Sequence, residues 1–157
     1  MEPIALPASW DDYLVALPVG QADEVRGALR AFDDWTGGHA DLRVARTARE
    51  LAIGLEVLRA LRGGARELDE VLMPELFQRG VLELMWLSAR GEPVAALHNL
   101  VCDHRVVVQQ EVHRGGLPVG VRADLVIEAL AIRRAIECGR RTIEFPSGRL
   151  PQRSRFQ

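Results

Sequence analysis

Lysine is absent from this sequence: all 20 basic residues are arginine. That excludes a catalytic lysine, and the bias reads as genomic base composition rather than as mechanism. Cysteine is scarce, with only Cys102 and Cys138. The first lies in an apolar run and the second near the end of a predicted helix, so both are expected to be buried free thiols. The 4 histidines and 2 cysteines show no metal-ligand spacing, and no metal is expected. Nothing approaches the roughly 18 consecutive apolar residues of a membrane span, and no basic-then-apolar leader opens the chain. A cytoplasmic location is therefore expected. A formal net charge of -2 gives no bulk attraction to nucleic acid or to an anionic membrane. Arg149, Arg153 and Arg155 read as a solvated basic tail rather than as a nucleic-acid site.

What is present suffices for one core. In 157 residues, 48% of them hydrophobic, the simplest organisation is a single domain, 1–157. It divides into a helical N-terminal segment (1–38), a core (39–145) and a basic tail (146–157). Ser9-Trp10-Asp11-Asp12 offers a cap and an acidic first turn for a short helix closed by Pro18 and Gly20. A second helix is predicted over residues 22–35, and a half-exposed strand over residues 41–46. Thr47 and Glu50 form a capping box for a helix with Leu51, Leu55, Leu58 and Leu61 on one face, stopped by Gly63-Gly64. Residues 68–78 are helical, with Pro74 either starting the last part or kinking it.

After Gly80 come three strand-like runs, VLELMWLSA, PVAALHNLVC and RVVVQQEV, separated by short turns and so predicted as an antiparallel meander. Both alternating sets of the middle run are apolar, so both of its faces should be covered. His98 within it reads as a core histidine. Next, HRGGLPVGVRADL (His113 to Leu125) leads from strand to helix, and its backbone amides sit where an anion could meet a helix N-terminus. Leu125, Ala129, Ile132 and Ile136 stripe that helix, and Val126 and Leu130 widen the stripe. Residues 141–145 then form a strand expected to lie parallel to the one before the helix.

Three segments carry a family likeness: LPASWDDYL (Leu6 to Leu14), GVLELMWLSARGEPVAALHNLV (Gly80 to Val101) and CGRRTIEFPSG (Cys138 to Gly148). Together they resemble the GNAT-type acetyltransferase domain related to cellulose-biosynthesis acetyltransferases and, more distantly, to Fem-type peptidoglycan aminoacyltransferases. Gly91, Pro93, Ala95 and Ala96 match that family's Gly-x-Pro-x-Ala-Ala turn and strand. The resemblance implies an α/β (α+β) fold with a mixed, mostly antiparallel central sheet and helices on both faces. It implies N-acyl transfer from acetyl-CoA, or another acyl-CoA, to an amine on a small molecule or peptide.

By the same resemblance the strand over residues 105–112 splays from the strand over 141–145, and Gln110 and Val112 offer backbone groups to the coenzyme. Its pyrophosphate meets Gly120, Val121, Arg122 and Ala123, with Arg114 as a further cation. Glu111 and His113, on one strand face with Gln109, are candidate bases for the attacking amine. The competing account makes residues 109–113 a polar, solvated sheet end. Asp124 opposes the phosphate reading, because a carboxylate there repels a phosphate nearby. A cap followed by an ordinary turn is the alternative. Trp10, Tyr13, Trp35 and Trp86 read as core anchors, with an acceptor groove as the functional alternative. The chain stops where the family continues into a final hairpin, so an open sheet edge and a homodimer are expected. A catalytically silent interaction module of the same fold is the rival to the enzyme.

Overall fold

The computed structural model describes residues 3–64 and 68–146. Its centre is the predicted meander: β3 (Leu82–Ala89), β4 (Glu92–Cys102) and β5 (Arg105–His113) pair antiparallel in sequence. Two tight turns set that order. Arg90 and Gly91 have φ of 52° and 82°, the left-handed pair that a two-residue hairpin turn requires. Asp103, at φ 54°, makes the second. Strand β4 is covered on both faces, since every residue from Val94 to Asn99 is buried. Its apolar residues on both alternating sets are what allow this.

After β5 a loop leads into α5 (Ala123–Glu137), and β6 (Thr142–Glu144) returns parallel to β5. β2 (Ala40–Val44) adds antiparallel to β3 at one edge. The other edge differs from the sequence expectation. β1 (Ile4–Ala5) pairs antiparallel with β6, giving the order β1-β6-β5-β4-β3-β2, so β6 is not left as the open edge. Two residues carry too little alternation to be read as a strand; what makes them one is the vacant edge of β6. The final basic residues, with Arg149, Arg153 and Arg155, lie outside the described residues, as do Ser147 and Gly148.

Helices cover both faces, as the family likeness implied. α1 (Trp10–Ala16), α2 (Gln21–Thr36) and α5 pack on one face, where Tyr13, Leu14, Val25, Phe32, Leu125 and Ile132 join Met85, Leu87, Leu97 and Val106. α3 (Ala48–Leu61) and α4 (Met73–Gln78) pack on the other, bringing Leu51, Leu58 and Met73 against Leu84, Trp86 and Ala96. Local signals set the helix starts. Ser9 Oγ accepts from Asp12 N–H at 3.1 Å, and Thr47 Oγ1 from Glu50 N–H at 3.1 Å. The Glu50 carboxylate reaches back one residue further than a standard capping box, to Arg46 N–H at 3.0 Å. Pro74 starts α4 rather than kinking a longer helix, and a 3-10 turn (Leu68–Val71) precedes it. No described helix is long and apolar enough to cross a membrane.

Both cysteines depart from the sequence expectation, because they are exposed. Cys102 ends β4 at a turn, and Cys138 caps α5 beyond its buried stripe, so neither reaches the core. Tyr13 and Trp86 are buried core residues, while Trp10 and Trp35 are half-buried at the edge of the larger cluster.

Gly54 sets how closely α3 approaches the sheet. A methyl group there would lie 2.6 Å from Leu84 Cδ2 and 2.8 Å from Trp86 Cζ3, whereas one at Gly27 of α2 would meet nothing within 4 Å. Gly27→Ala is therefore expected to stabilise the protein by about 1 kcal/mol through helix propensity. Gly54→Ala is expected to destabilise it by about 1 kcal/mol or more, overpacking outweighing the same gain. Thermal denaturation of the two variants decides this, and an equal rise for both would show that the approach of α3 is not limiting.

Candidate active site at the splayed strands

β5 and β6 pair only over Arg105–Val107 and Thr142–Glu144. β5 continues to His113, and beyond Val107 no described strand pairs with its β6 side. The gap therefore holds main-chain donors and acceptors without a ladder partner among the described residues, and such groups call for a ligand or water. A register slip adds to this. His98 faces Gln110 while Asn99 faces Val108, so Gln109 is extra in β5. Strict alternation would place Val106, Val108 and Glu111 on different faces. The slip puts Glu111 on the α5 face with Val106 and Val108, opposite Leu97.

The five polar or flanking residues of this strand end are thereby separated. Glu111 is buried, and His113, on the same face, is exposed opposite Ala95. Gln110 and Val112 face α3, where Val112 packs against the smaller cluster. A polar, solvated strand end describes only Gln109 and His113.

On the α3 side a cluster stands that the sequence did not reveal. Arg62 donates to the Gln110 side-chain oxygen, and its guanidinium lies 3.3 Å from Glu70. Arg62 and Glu70 are 5% and 8% exposed, a buried ion pair whose partners cannot be separated cheaply. His98, buried and in register with Gln110, borders the same face. The one sequence signal for Arg62 is its place at the C-terminal end of an apolar helix, where a cation favours the helix dipole. Its partners are 8 and 48 residues away in sequence, beyond local pattern.

The loop from Arg114 to Arg122 closes the site. Gly116 and Gly120 adopt φ of 74° and 88°, and Val121 N–H donates to Pro118 O at 3.0 Å. Val121 packs on the larger cluster and Ala123 is buried, which anchors the start of α5. Side chains cap α1 and α3, but none caps α5. Asp124 is thus not the cap. Its carboxylate accepts two hydrogen bonds from Arg122, at 3.1 and 3.0 Å. That fork, more than the neighbouring carboxylates, holds the Arg122 guanidinium above its ordinary pKa, so it stays charged. The pair is close to neutral, which weakens the repulsion that Asp124 alone would exert on an anion. Arg114 is engaged by Glu92 at 3.0 Å.

One turn further along α5, Glu128 is 1% exposed and close enough to Tyr13 for its charge to act on the phenol. Burial first, and then the Glu128 carboxylate, push the Tyr13 pKa well above its ordinary value.

A profile for the acetyltransferase (GNAT) domain matches residues 20–151. Solved structures of similar fold include the C-terminal domain of a putative lysylphosphatidylglycerol synthetase from Agrobacterium fabrum, at 12% identity and TM-score 0.59, covering 83% of this chain and 43% of that one. A FemX crystal structure matches at 10% identity and TM-score 0.58, covering 90% and 51%. A conserved protein of unknown function from Bacteroides thetaiotaomicron matches at 15% identity and TM-score 0.56, covering 98% and 57%. The chain spans between 43% and 57% of the length of these three structures. At such identities the likeness is one of fold. No curated protein matches the chain.

Tyr13 is the only tyrosine of the chain, which makes its titration readable alone. Absorbance at 295 nm is expected to show no tyrosinate near pH 10 while the protein is folded. Because the folded pKa is raised, the associated stability is complete below the unfolded value of about 10 and is lost as pH rises beyond it. Tyrosinate should therefore appear together with unfolding. A reversible step near pH 10 with the fold intact would show that the phenol is not buried against Glu128.

Proposed function

Because the chain belongs to the GNAT acetyltransferase domain family, whose profile covers residues 20–151, we propose that it is an N-acyltransferase. Its donor is acetyl-CoA or another acyl-CoA, and its acceptor an amine of a small molecule or peptide, within the cytoplasm. A relation to the cellulose-biosynthesis acetyltransferases and, more distantly, to the Fem-type aminoacyltransferases is part of this proposal; the fold likeness to FemX supports its second half. The observation that carries the reading is the gap between β5 and β6, opening onto a helix start that no side chain caps.

An acyl-CoA fits these residues. Arg114 N–H donates to Val94 O, so alternation along the β4 and β5 ladder turns the main-chain groups of Gln110 and Val112 toward β4 and those of Glu111 and His113 toward the gap, where amides of an extended ligand would meet them. The amides of Gly120, Arg122 and Ala123 would meet a diphosphate at the N-terminus of a 15-residue helix, the Val121 N–H being held by Pro118 O. Arg114 and Arg122 are already held by Glu92 and Asp124, so binding relies first on the amides. When bound, the thioester supplies an activated acyl carbon. The protein's part is to orient the acceptor amine toward that carbon and to receive its proton. Glu111 and His113 are the candidates for that proton, Glu111 from the buried side and His113 from solvent. Direct transfer needs no covalent enzyme intermediate.

The fork between Arg122 and Asp124 favours a second reading, in which the scaffold has lost its coenzyme and serves as an interaction module. Isothermal titration with acetyl-CoA and with CoA separates the two. Micromolar binding by the wild type is expected, tighter in Asp124→Gly, where Arg122 is released toward the diphosphate. Heat from the variant alone would favour the silent scaffold, and no binding by either would remove the acyltransferase reading. If binding holds, thiol release with a panel of amines should fall about 100-fold or more in whichever of Glu111→Gln and His113→Ala removes the base. Unchanged rates in both would exclude these residues from proton transfer.

A further inference from the structure

A cavity of about 360 Å³ lies away from the gap between β5 and β6, on the β4 side of β5. Its walls are the C-terminal end of α2 (Trp35, Thr36), the turn joining β3 to β4, and the first part of the loop that follows β5. The floor is apolar: Ala89 and Val94 are buried, and Trp35 packs edge-on against Phe32 at 5.7 Å. Leu117 and Pro118 face it from the loop.

Two of the walls are fixed in place. Arg90, held at φ 52°, donates to the main-chain oxygens of Trp35 at 3.0 Å and Thr36 at 3.3 Å. Its charge is therefore spent on the carbonyl end of α2 and closes one side of the cavity. The remaining charges lining it are Arg114 and Glu92, paired with each other at 3.0 Å and 51% and 73% exposed. An ion pair so exposed is worth little, about 0 to 1 kcal/mol, and opens readily.

We propose that this cavity binds a small zwitterion with an apolar side chain, of the α-amino acid class. The ligand carboxylate takes Arg114, its ammonium takes Glu92, and its side chain lies on Trp35, Leu117 and Pro118. In the free protein the two rim residues satisfy each other, and the ligand replaces one ion pair by two. A ligand with a single charge would leave Arg114 or Glu92 without its partner, so charge complementarity selects for both signs at once. The site goes beyond the acyl-transfer reading and does not depend on it. It does share Arg114 and a loop with it, since Arg114, Leu117 and Pro118 line the cavity and residues 120–122 lead into α5.

The test is an amide NMR titration of the full chain with L-leucine, L-leucinamide and 4-methylpentanoate. L-leucine is expected to shift the amides of residues 35–36, 89–94 and 114–117 saturably. Each analogue, lacking one charge, should bind about threefold to fivefold more weakly. Arg114→Ala should abolish the preference for leucine over leucinamide, and Glu92→Ala the preference for leucine over 4-methylpentanoate. Both side chains are more than half exposed, so the variants should fold, and their spectra report it directly. No saturable shift at these amides, shifts centred elsewhere, or preferences unchanged in the two variants would overturn the proposal.

Discussion

Three residue pairs hold β6 to β5, from Arg105 with Thr142 to Val107 with Glu144, and the candidate chemistry depends on the ladder stopping there. Parallel pairing at this point is forced by the crossover through α5, whose buried stripe fixes the helix on the sheet. Had the ladder continued, the main-chain groups that residues 108–113 turn toward β6 would have paired with it, as the other half pair with β4. Because it stops, the end of β5 keeps them for something else. β1 strengthens the arrangement from outside, so β6 is held on both of its edges at Thr142 and Ile143.

Charge around the end of β5 is held in closed pairs. Arg122 with Asp124, Arg114 with Glu92, and Arg62 with Glu70 each neutralise a cation that an anionic ligand would otherwise use. Their consequences differ with burial. The Arg62 and Glu70 pair is almost wholly removed from water, where losing one partner strands the other, so it reads as a clamp between the end of α3 and β5. The Arg114 and Glu92 pair is mostly in water and can exchange partners at small cost. Arg122 and Asp124 lie between these limits, at the start of α5. Main-chain amides and the helix dipole, which no mutation of a side chain removes, are left as the constant attraction for an anion.

Much of the fold was legible along the chain. Ser9 and Thr47 marked helix starts because a hydroxyl satisfying free amide groups is a local event. The three apolar runs between Gly80 and His113 announced a meander because short turns permit little else. The stripe of Leu125, Ala129, Ile132 and Ile136 announced the crossover helix. The site was less legible. Glu111 and His113 share one face as read, but Gln109, read with them, is the extra residue of a register slip, and that slip, which buries Glu111, is a property of how β4 and β5 pair. Asp124 looked like a cap or an obstacle. Its fork with Arg122 requires both side chains to turn toward each other across one residue, which no spacing rule demands.

The sequence by itself determined the order of the elements after β1, the covered central strand, the parallel return of β6 and the family likeness, because periodicity, capping and turn chemistry act between residues a few positions apart. Tertiary structure alone decided which edge of β6 is covered, on which face Glu111 lies, where the cysteines end, and which arginine meets which carboxylate. Those outcomes depend on contacts such as Ile4 with Ile143, Arg62 with Gln110 and Trp35 with Arg90. Such partners meet only after the chain has packed, when burial and the need to satisfy every polar group select one arrangement among those that the local signals allow.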